Sequence, residues 1–288
     1  MMTVTEFFRR FPDEETCLEH LWNVRYGNPI ECPKCAKQGD FYKLRKIPAW
    51  ACPRCGHHIH PMQGTPFART RTPLQKWFYA MYLFTTTRHG VSAKELQRQL
   101  GVTYKTAWRM GHELRKYMGI VDGDPPLGGV VEADEVYIGG KKHGKRRSKG
   151  TTGRATIGKT AVLGIYERGG PVMTHVIKDA STASLVPPIV ANVEKGSTIH
   201  TDEWHPYKRL AKEGYTHQFV SHRRKEYVRG SSHTNSLDGF WALFKRSVRG
   251  THVWISSKHV EKYLGEFEFR HNMRHTPEIM FDRLLFAF

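Results

Sequence analysis

Two pairs of cysteines near the N-terminus constrain the fold more than any other feature of the sequence. The stretches CPKC (32–35) and CPRC (52–55) flank residues 36–51, and this spacing is typical of a four-cysteine zinc site. Each Cys-x-x-Cys turn directs two thiolates at one centre, and two such turns complete a tetrahedron around Zn²⁺. We therefore predict a zinc-ribbon domain over residues 1–70, in which structural Zn²⁺ is held by Cys32, Cys35, Cys52 and Cys55.

The alternatives for this cluster are a disulfide framework or four unrelated thiols. The N-terminus lacks the order of a signal peptide, and no run of about 18 apolar residues predicts a membrane helix. We expect a cytoplasmic protein without a membrane partner, where disulfides are rare. A segment this small buries little apolar core, so the metal would supply its folding free energy. Two short strands are expected between the cysteine pairs. Cys17 is expected to be a buried or idle thiol.

The charge balance indicates a polyanionic partner. The chain has 45 Lys and Arg against 27 Asp and Glu, a formal net charge of +18. Such a surplus repels itself in the folded state, and its usual purpose is nucleic-acid binding. A generally basic proteome is the alternative explanation.

A helix-turn-helix pattern follows the ribbon, in a region that we place at residues 71–121. Ser92 and Glu95 predict a capping box, Gly101 the turn, and Thr103 the start of a second helix with the apolar residues Ala107, Trp108 and Leu114. Lys105 and Arg109 would lie on its exposed face and contact DNA. An ordinary helical hairpin is the alternative.

The remainder, residues 125–288, predicts an α/β domain with a mixed sheet flanked by helices. Strands are expected at 130–140, 160–170, 171–179, 197–202 and 216–222, with helices between and after them. The segment 141–159 contains many Lys and Arg residues and no acid, so it predicts a basic loop that contacts phosphates through Lys145, Arg146 and Arg147. A solvated loop without a role is the alternative.

Acidic residues inside apolar strands are the strongest sign of chemistry. Strand alternation places Glu132 and Asp134 on one face and Glu135 on the other. Asp202 ends a later strand; taken alone, it would be read as a turn residue. On a late helix, Asn235, Asp238 and Lys245 share a face, with Phe240, Trp241 and Phe244 on the docking side.

The stretches VEADEVYIGGK, HTDEWHPY, HTNSLDGFWALFKRSVRGTHVWISSKH and YLGEFEFRHNMR carry a resemblance. With the ribbon and the helix-turn-helix, they resemble bacterial insertion-sequence transposases of the ISXO-like group. The resemblance implies a DDE-type catalytic domain with a ribonuclease-H-like fold, acting on inverted repeats and target DNA as a homo-oligomer in the nucleoid. It implies that Asp134, Asp202 and a third residue, Asp238 or Asn235, bind catalytic Mg²⁺ or Mn²⁺. Members usually have Glu where this chain has Asp238.

Two Mg²⁺ ions would activate the nucleophile and stabilise the charged transition state of phosphodiester cleavage and strand transfer. Lys245 would contact a phosphate near the cleaved bond, and Arg246 and Arg249 would extend this basic ridge. Two other functions stay open: a zinc-ribbon DNA-binding regulator derived from a transposase, and a metal-dependent nuclease without strand transfer.

Overall fold

The computed structural model describes residues 2–123, 125–139, 159–220 and 233–288. These residues form two compact units. One comprises Met1–Tyr117 together with Thr276–Phe288, and the other comprises Met118–His275. The basic segment with Lys145, Arg146 and Arg147 lies outside the described residues.

The first unit contains the cysteine pairs and most of the predicted helix-turn-helix. Its elements are α1 (Val4–Arg10), α2 (Glu14–Arg25), β1 (Ile30–Glu31), β2 (Gln38–Gly39), β3 (Tyr42–Lys43), β4 (Trp50–Ala51), β5 (His58–Ile59), α3 (Leu74–Thr86), α4 (Ala93–Leu100), α5 (Tyr104–Val121, which continues into the second unit) and α9 (Met280–Leu285).

The strands around the cysteines form two small antiparallel sheets rather than a single hairpin. Strands β1 and β2 pair on either side of CPKC, while β3, β4 and β5 form a three-stranded sheet around CPRC. The indole of Trp22 on α2 stacks on that of Trp50 on β4, with ring centroids 4.6 Å apart. This stack packs a helix against the ribbon, which adds apolar contacts to the stabilisation expected from a metal.

The C-terminal residues 276–288 belong to the first unit. Phe281 on α9 packs against Phe11 and Phe78, with ring centroids 5.5 and 6.3 Å away. Arg10 on α1 also pairs with Asp282, Nη2 to Oδ1 at 2.5 Å. An aromatic cluster therefore joins the two ends of the chain.

Helices α4 and α5 form where the caps predict them. The Ser92 hydroxyl accepts a hydrogen bond from the Glu95 backbone N–H at 3.1 Å, and Gly101 ends α4 in the left-handed conformation at φ 59°. The predicted capping box is only half formed, because the Glu95 carboxylate accepts from Arg98 and Gln99 instead of turning back to the cap.

The second unit is built around one mixed sheet. Its elements are β6 (Val130–Ile138), β7 (Thr160–Glu167), β8 (Val172–Ile177), α6 (Thr182–Asn192), β9 (Thr198–Asp202), a 3₁₀ helix (His205–Glu213), β10 (Thr216–Val220), α7 (Asn235–Ser247), a π-helical turn (Val248–His252), a 3₁₀ turn (Ser257–His259) and α8 (Val260–Asn272). The strands lie close to their predicted positions, while the segment after β9 is a 3₁₀ helix rather than an α-helix.

The strand order is β8-β7-β6-β9-β10, which confirms the predicted ribonuclease-H-like mixed sheet. Strand β7 runs antiparallel to β6 and β8, and the pairs β6–β9 and β9–β10 are parallel. Helix α6 and the 3₁₀ helix bury apolar residues against one face of the sheet, and α7 and α8 do so against the other. Helix α7 therefore covers the face that bears the predicted acids.

Candidate functional site

The four cysteines of the ribbon converge as predicted. Their sulfur atoms all lie within 4.8 Å of one another, with Cys32 Sγ 3.6 Å from Cys55 Sγ and Cys35 Sγ 3.9 Å from Cys52 Sγ. Zn–S bonds of about 2.3 Å in a tetrahedron place the sulfurs about 3.8 Å apart, so this arrangement fits Zn²⁺. All four thiols are free, which excludes the disulfide alternative.

Two equivalent turns present these thiols. The N–H of Cys32 bonds to Lys37 O and the N–H of Cys52 bonds to His57 O, at 3.0 and 2.8 Å. In each turn one residue takes a left-handed conformation: Ala36 at φ 53° and Gly56 at φ 69°. The sequence spacing thus produces a pseudo-symmetric pair of knuckles, with an alanine in one at the place of a glycine in the other.

The electrostatics of the cluster favour a thiolate at Cys52 and not at Cys55, whose pKa is raised to about 11 by burial and by hydrogen bonds with the other three cysteines. Burial raises the pKa of Cys52, but hydrogen bonds from the backbone N–H groups of Cys55 and Arg54 outweigh it and lower the pKa to about 6. Thiolates, not thiols, are the ligands of zinc.

The three predicted acids come from separate elements of the second unit. Asp134 lies in the middle of β6, Asp202 ends β9, and Asp238 lies in the first turn of α7. Strands β6 and β9 are parallel neighbours in which Glu132 pairs with His200. The same offset brings Asp134 level with Asp202, two residues further along the shared face.

Asp134 lies in the field of the other acids. Burial raises its pKa well above the usual value, and the charges of Glu135, Asp202 and Asp238 raise it further. A carboxyl group surrounded by like charges ionises readily only if a cation compensates the charge. The arrangement therefore favours binding of a cation beside Asp134.

The acids are less tightly gathered than the cysteines. Within the described ranges, the cysteine cluster is the only group of three or more His, Cys, Asp or Glu residues whose ligand atoms all lie within 4.8 Å of one another. Asp202 also has one carboxylate oxygen in a turn, since its Oδ1 accepts a hydrogen bond from Trp204 N at 2.9 Å.

Glu132 and Glu135 lie on opposite faces of β6, as the alternation predicts. Glu135 accepts a hydrogen bond from the buried Tyr207 hydroxyl at 3.0 Å. Glu132 is fully buried beneath α7, where it contacts Arg168 and the start of that helix. Sequence reasoning identified both as acids on a strand, but it did not identify either partner.

Asn235 and Lys245 accompany Asp238 on α7. Both are exposed, with Asn235 at the first residue of the helix and Lys245 in its last turn. The predicted docking residues Phe240, Trp241 and Phe244 are buried. Residues Arg246 and Arg249 are exposed at and beyond the end of α7.

Lys105 and Arg109 are exposed on α5. The Arg109 guanidinium carbon lies 5.6 Å from the centre of the Trp77 ring. Ala107 and Leu114 are buried as predicted, but Trp108 is 39% exposed. Trp108 follows the exposed Tyr104 by four residues, so both side chains lie on the same, solvent-facing side of α5. The outer surface of α5 is thus both basic and aromatic.

In the part of the chain that the structure describes, no helix combines the length and apolar character needed to cross a membrane.

These features together define an insertion-sequence transposase with an N-terminal zinc ribbon. Residues 126–272 match the ISXO2-like transposase domain, and residues 12–58 match the transposase zinc-ribbon domain. The chain belongs to the ISXO2-like transposase family, which confirms the resemblance noted in the sequence.

Two individual proteins show the same likeness in sequence. The chain is 28% identical over 283 residues to an "uncharacterized protein in transposable element ISH50" of Halobacterium salinarum, covering 93% of this chain and 94% of that protein. It is 29% identical over 101 residues to an "uncharacterized transposase-like protein" of Haemophilus influenzae, covering 35% and 80%. A chain from the crystal structure of a pre-cleavage Mos1 transpososome aligns at 12% identity and TM-score 0.28, over 67% of this chain and 73% of that one.

Proposed function

We propose that this transposase binds the inverted repeats of its element and catalyses metal-dependent DNA cleavage and strand transfer. The observation that carries the proposal is the position of Asp134 on β6, level with Asp202 on the parallel neighbour β9 and on the face covered by the helix that carries Asp238. Burial and the charges of Glu135, Asp202 and Asp238 also raise the pKa of Asp134. Three separate elements supply Asp134, Asp202 and Asp238 to one region, where a bound cation would offset the repulsion between their charges.

Asp134 and Asp202, together with Asp238 or with Asn235 in its place, would hold the catalytic Mg²⁺ ions. When bound, the ions activate the attacking oxygen and stabilise the charge that develops on the phosphate. Lys245 would bind a phosphate oxygen close to the broken bond.

DNA binding is proposed for two basic surfaces. Lys105 and Arg109 on α5 would contact the repeat, and Arg246 and Arg249 would hold the backbone near the acids. Each phosphate contact contributes about one unit to the slope of the logarithm of the binding constant against the logarithm of the salt concentration. The double variant Lys105→Ala, Arg109→Ala should therefore lower the magnitude of this slope by about two. Strand transfer joins DNA ends to a target, so we expect an oligomer on DNA.

The test is a cleavage and joining assay on DNA carrying the inverted repeats of the element, with and without Mg²⁺. Asp134→Asn and Asp202→Ala should abolish cleavage while repeat binding is retained. Glu213→Gln, which changes a partly exposed acid paired with Arg209 in the same unit, is the matched control and should stay active.

The outcomes separate the three functions. Metal-dependent joining that is lost in Asp134→Asn supports a transposase. Cleavage without joining in the wild type supports a nuclease. Repeat binding without cleavage in any variant supports a DNA-binding regulator. Comparing Asp238→Ala with Asn235→Ala then identifies the third ligand by the greater loss of cleavage.

A further inference from the structure

The start of α7 is capped by a side chain from a distant strand. The N–H groups of Ser236 and Leu237 both donate to Glu132 Oε2 at 3.0 Å, and the Ser236 hydroxyl donates to Oε1 at 3.1 Å. Within the described part of the chain, Thr234 at the N-cap position makes no side-chain cap hydrogen bond. The first N–H groups of a helix need acceptors, and Glu132 supplies them from β6.

The capping carboxylate is itself held in place. Glu132 is fully buried, and Arg168, which follows β7, donates from Nε to its Oε1 at 2.8 Å. Arg168 also donates from Nη2 to the backbone carbonyl of His233, at 2.8 Å, and His233 Nδ1 lies 3.2 Å from Glu132 Oε1. One carboxylate therefore joins β6, the residue after β7 and the start of α7. Negative charge at a helix N-terminus is also favoured by the helix dipole.

The position of Glu132 relates it to the proposed metal ligands. Glu132 precedes Asp134 by two residues on the same face of β6, and Ser236 precedes Asp238 by two residues on α7. A movement of the α7 N-terminus away from Glu132 would therefore change the distance between the carboxylates of Asp134 and Asp238. We propose that Glu132 is a positioning residue, which seats α7 so that its metal ligand meets Asp134. This inference rests on the proposed function.

A purely structural ion pair is the competing explanation, and the chain contains a matched control for it. Glu266 on α8 is also fully buried, and its Oε1 lies 3.0 Å from Arg270 Nη1. The substitutions Glu132→Gln and Glu266→Gln both remove one buried charge beside an arginine, in the same unit. Glu132 hydrogen-bonds to the first turn of α7, whereas Glu266 pairs with Arg270 within α8.

The first measurement does not depend on activity. In zinc-loaded full-length protein, amide hydrogen exchange should become about tenfold faster or more at Ser236 and Leu237 in Glu132→Gln. That change corresponds to about 1.4 kcal/mol or more of lost protection. The same amides should be unaffected in Glu266→Gln. Equal exchange in the two variants would overturn the proposal.

The second measurement concerns the metal. Residues that orient metal ligands typically change metal affinity by about 10–100-fold when mutated. Calorimetric Mn²⁺ binding should therefore weaken by about 10–100-fold in Glu132→Gln, with repeat binding retained, whereas Glu266→Gln should lower thermal stability alone. Unchanged Mn²⁺ affinity in Glu132→Gln would overturn the proposal.

A milder variant keeps the test valid if Glu132→Gln does not fold. Ser236→Ala removes only the hydroxyl donor and should shift exchange and Mn²⁺ affinity in the same direction by a smaller factor; no shift in either would count against positioning. Wild-type protein that binds Mn²⁺ but neither cuts nor joins DNA would refute the proposed function, while the exchange and Mn²⁺ results would still decide the role of Glu132.

Discussion

Gly164→Ala should both destabilise the protein and impair its proposed activity, because side chains of α7 pack directly against the sheet at Gly164. It lies on β7 directly opposite Asp134. A Cβ added there would lie 2.5 Å from Trp241 Cζ2 and 2.8 Å from Leu237 Cδ1, on the buried side of α7. Carbon atoms pack favourably at about 3.5–4.0 Å, so the helix or its side chains must move by about 1 Å.

The expected size of both effects follows from that displacement. Overpacking of a core typically costs about 1–3 kcal/mol, so the free energy of unfolding should fall by that amount. Helix α7 also carries Asp238, and a misplacement of about 1 Å in an active site costs on the order of 100-fold in rate. Urea unfolding of the second unit and single-turnover cleavage rates would measure the two effects.

Gly239→Ala is the control for this substitution. Gly239 lies on α7 itself, and a Cβ there would meet no heavy atom within 4 Å among the described residues. The same chemical change should therefore stabilise the helix by about 0.5–1 kcal/mol. If Gly164→Ala were as stable and as active as the wild type, the close seating of α7 on the sheet would be refuted.

Three further predictions concern stability. Ala36→Gly should stabilise the zinc-loaded ribbon by about 1 kcal/mol, since Ala36 is left-handed at φ 53°, and Gly56→Ala should have the opposite effect; thermal unfolding would measure both. Asp134→Asn should stabilise the Mg²⁺-free protein at neutral pH in urea unfolding, because the raised pKa of Asp134 makes its ionised carboxylate unfavourable in the folded state. This stabilisation should be absent at acidic pH, where the wild-type carboxyl is protonated. Burial, with the charge of Arg168, lowers the pKa of His200 to about 4, so the folded state resists its protonation. The contribution of neutral His200 to the free energy of unfolding is complete above pH 6.5. It is lost as the pH falls towards 4, by on the order of 3 kcal/mol. His200→Gln should therefore flatten the pH dependence of the free energy of unfolding in this range.

Features determined by neighbouring residues were predictable from the sequence. The two Cys-x-x-Cys turns, the alternation of Glu132, Asp134 and Glu135, and the cap at Ser92 each depend on spacing within a few residues. Such patterns specify local geometry directly, because a turn, a strand and a helix each impose a fixed side-chain periodicity. The resemblance to transposases depended on the same short stretches, in their order along the chain.

The remaining features depend on contacts between distant parts of the chain, which local spacing does not specify. Trp108 fitted the apolar pattern of its helix but is partly exposed, because the packing of neighbouring helices decides which side of α5 is buried. The C-terminal residues 276–288 joined the first unit through Phe281, an aromatic contact without a local signal.

The seating of α7 is the clearest case of a property that only the tertiary structure decided. The sequence by itself determined that a strand with acids and a helix with Asp238 exist. It contained no sign that Glu132 would cap that helix, because the capped N–H groups lie more than a hundred residues further along the chain. Nor did it indicate that Gly164 would lie under Trp241. Both contacts arise because the folded sheet brings β6 and β7 beneath α7, where the first N–H groups of the helix need acceptors and the buried side chains pack closely.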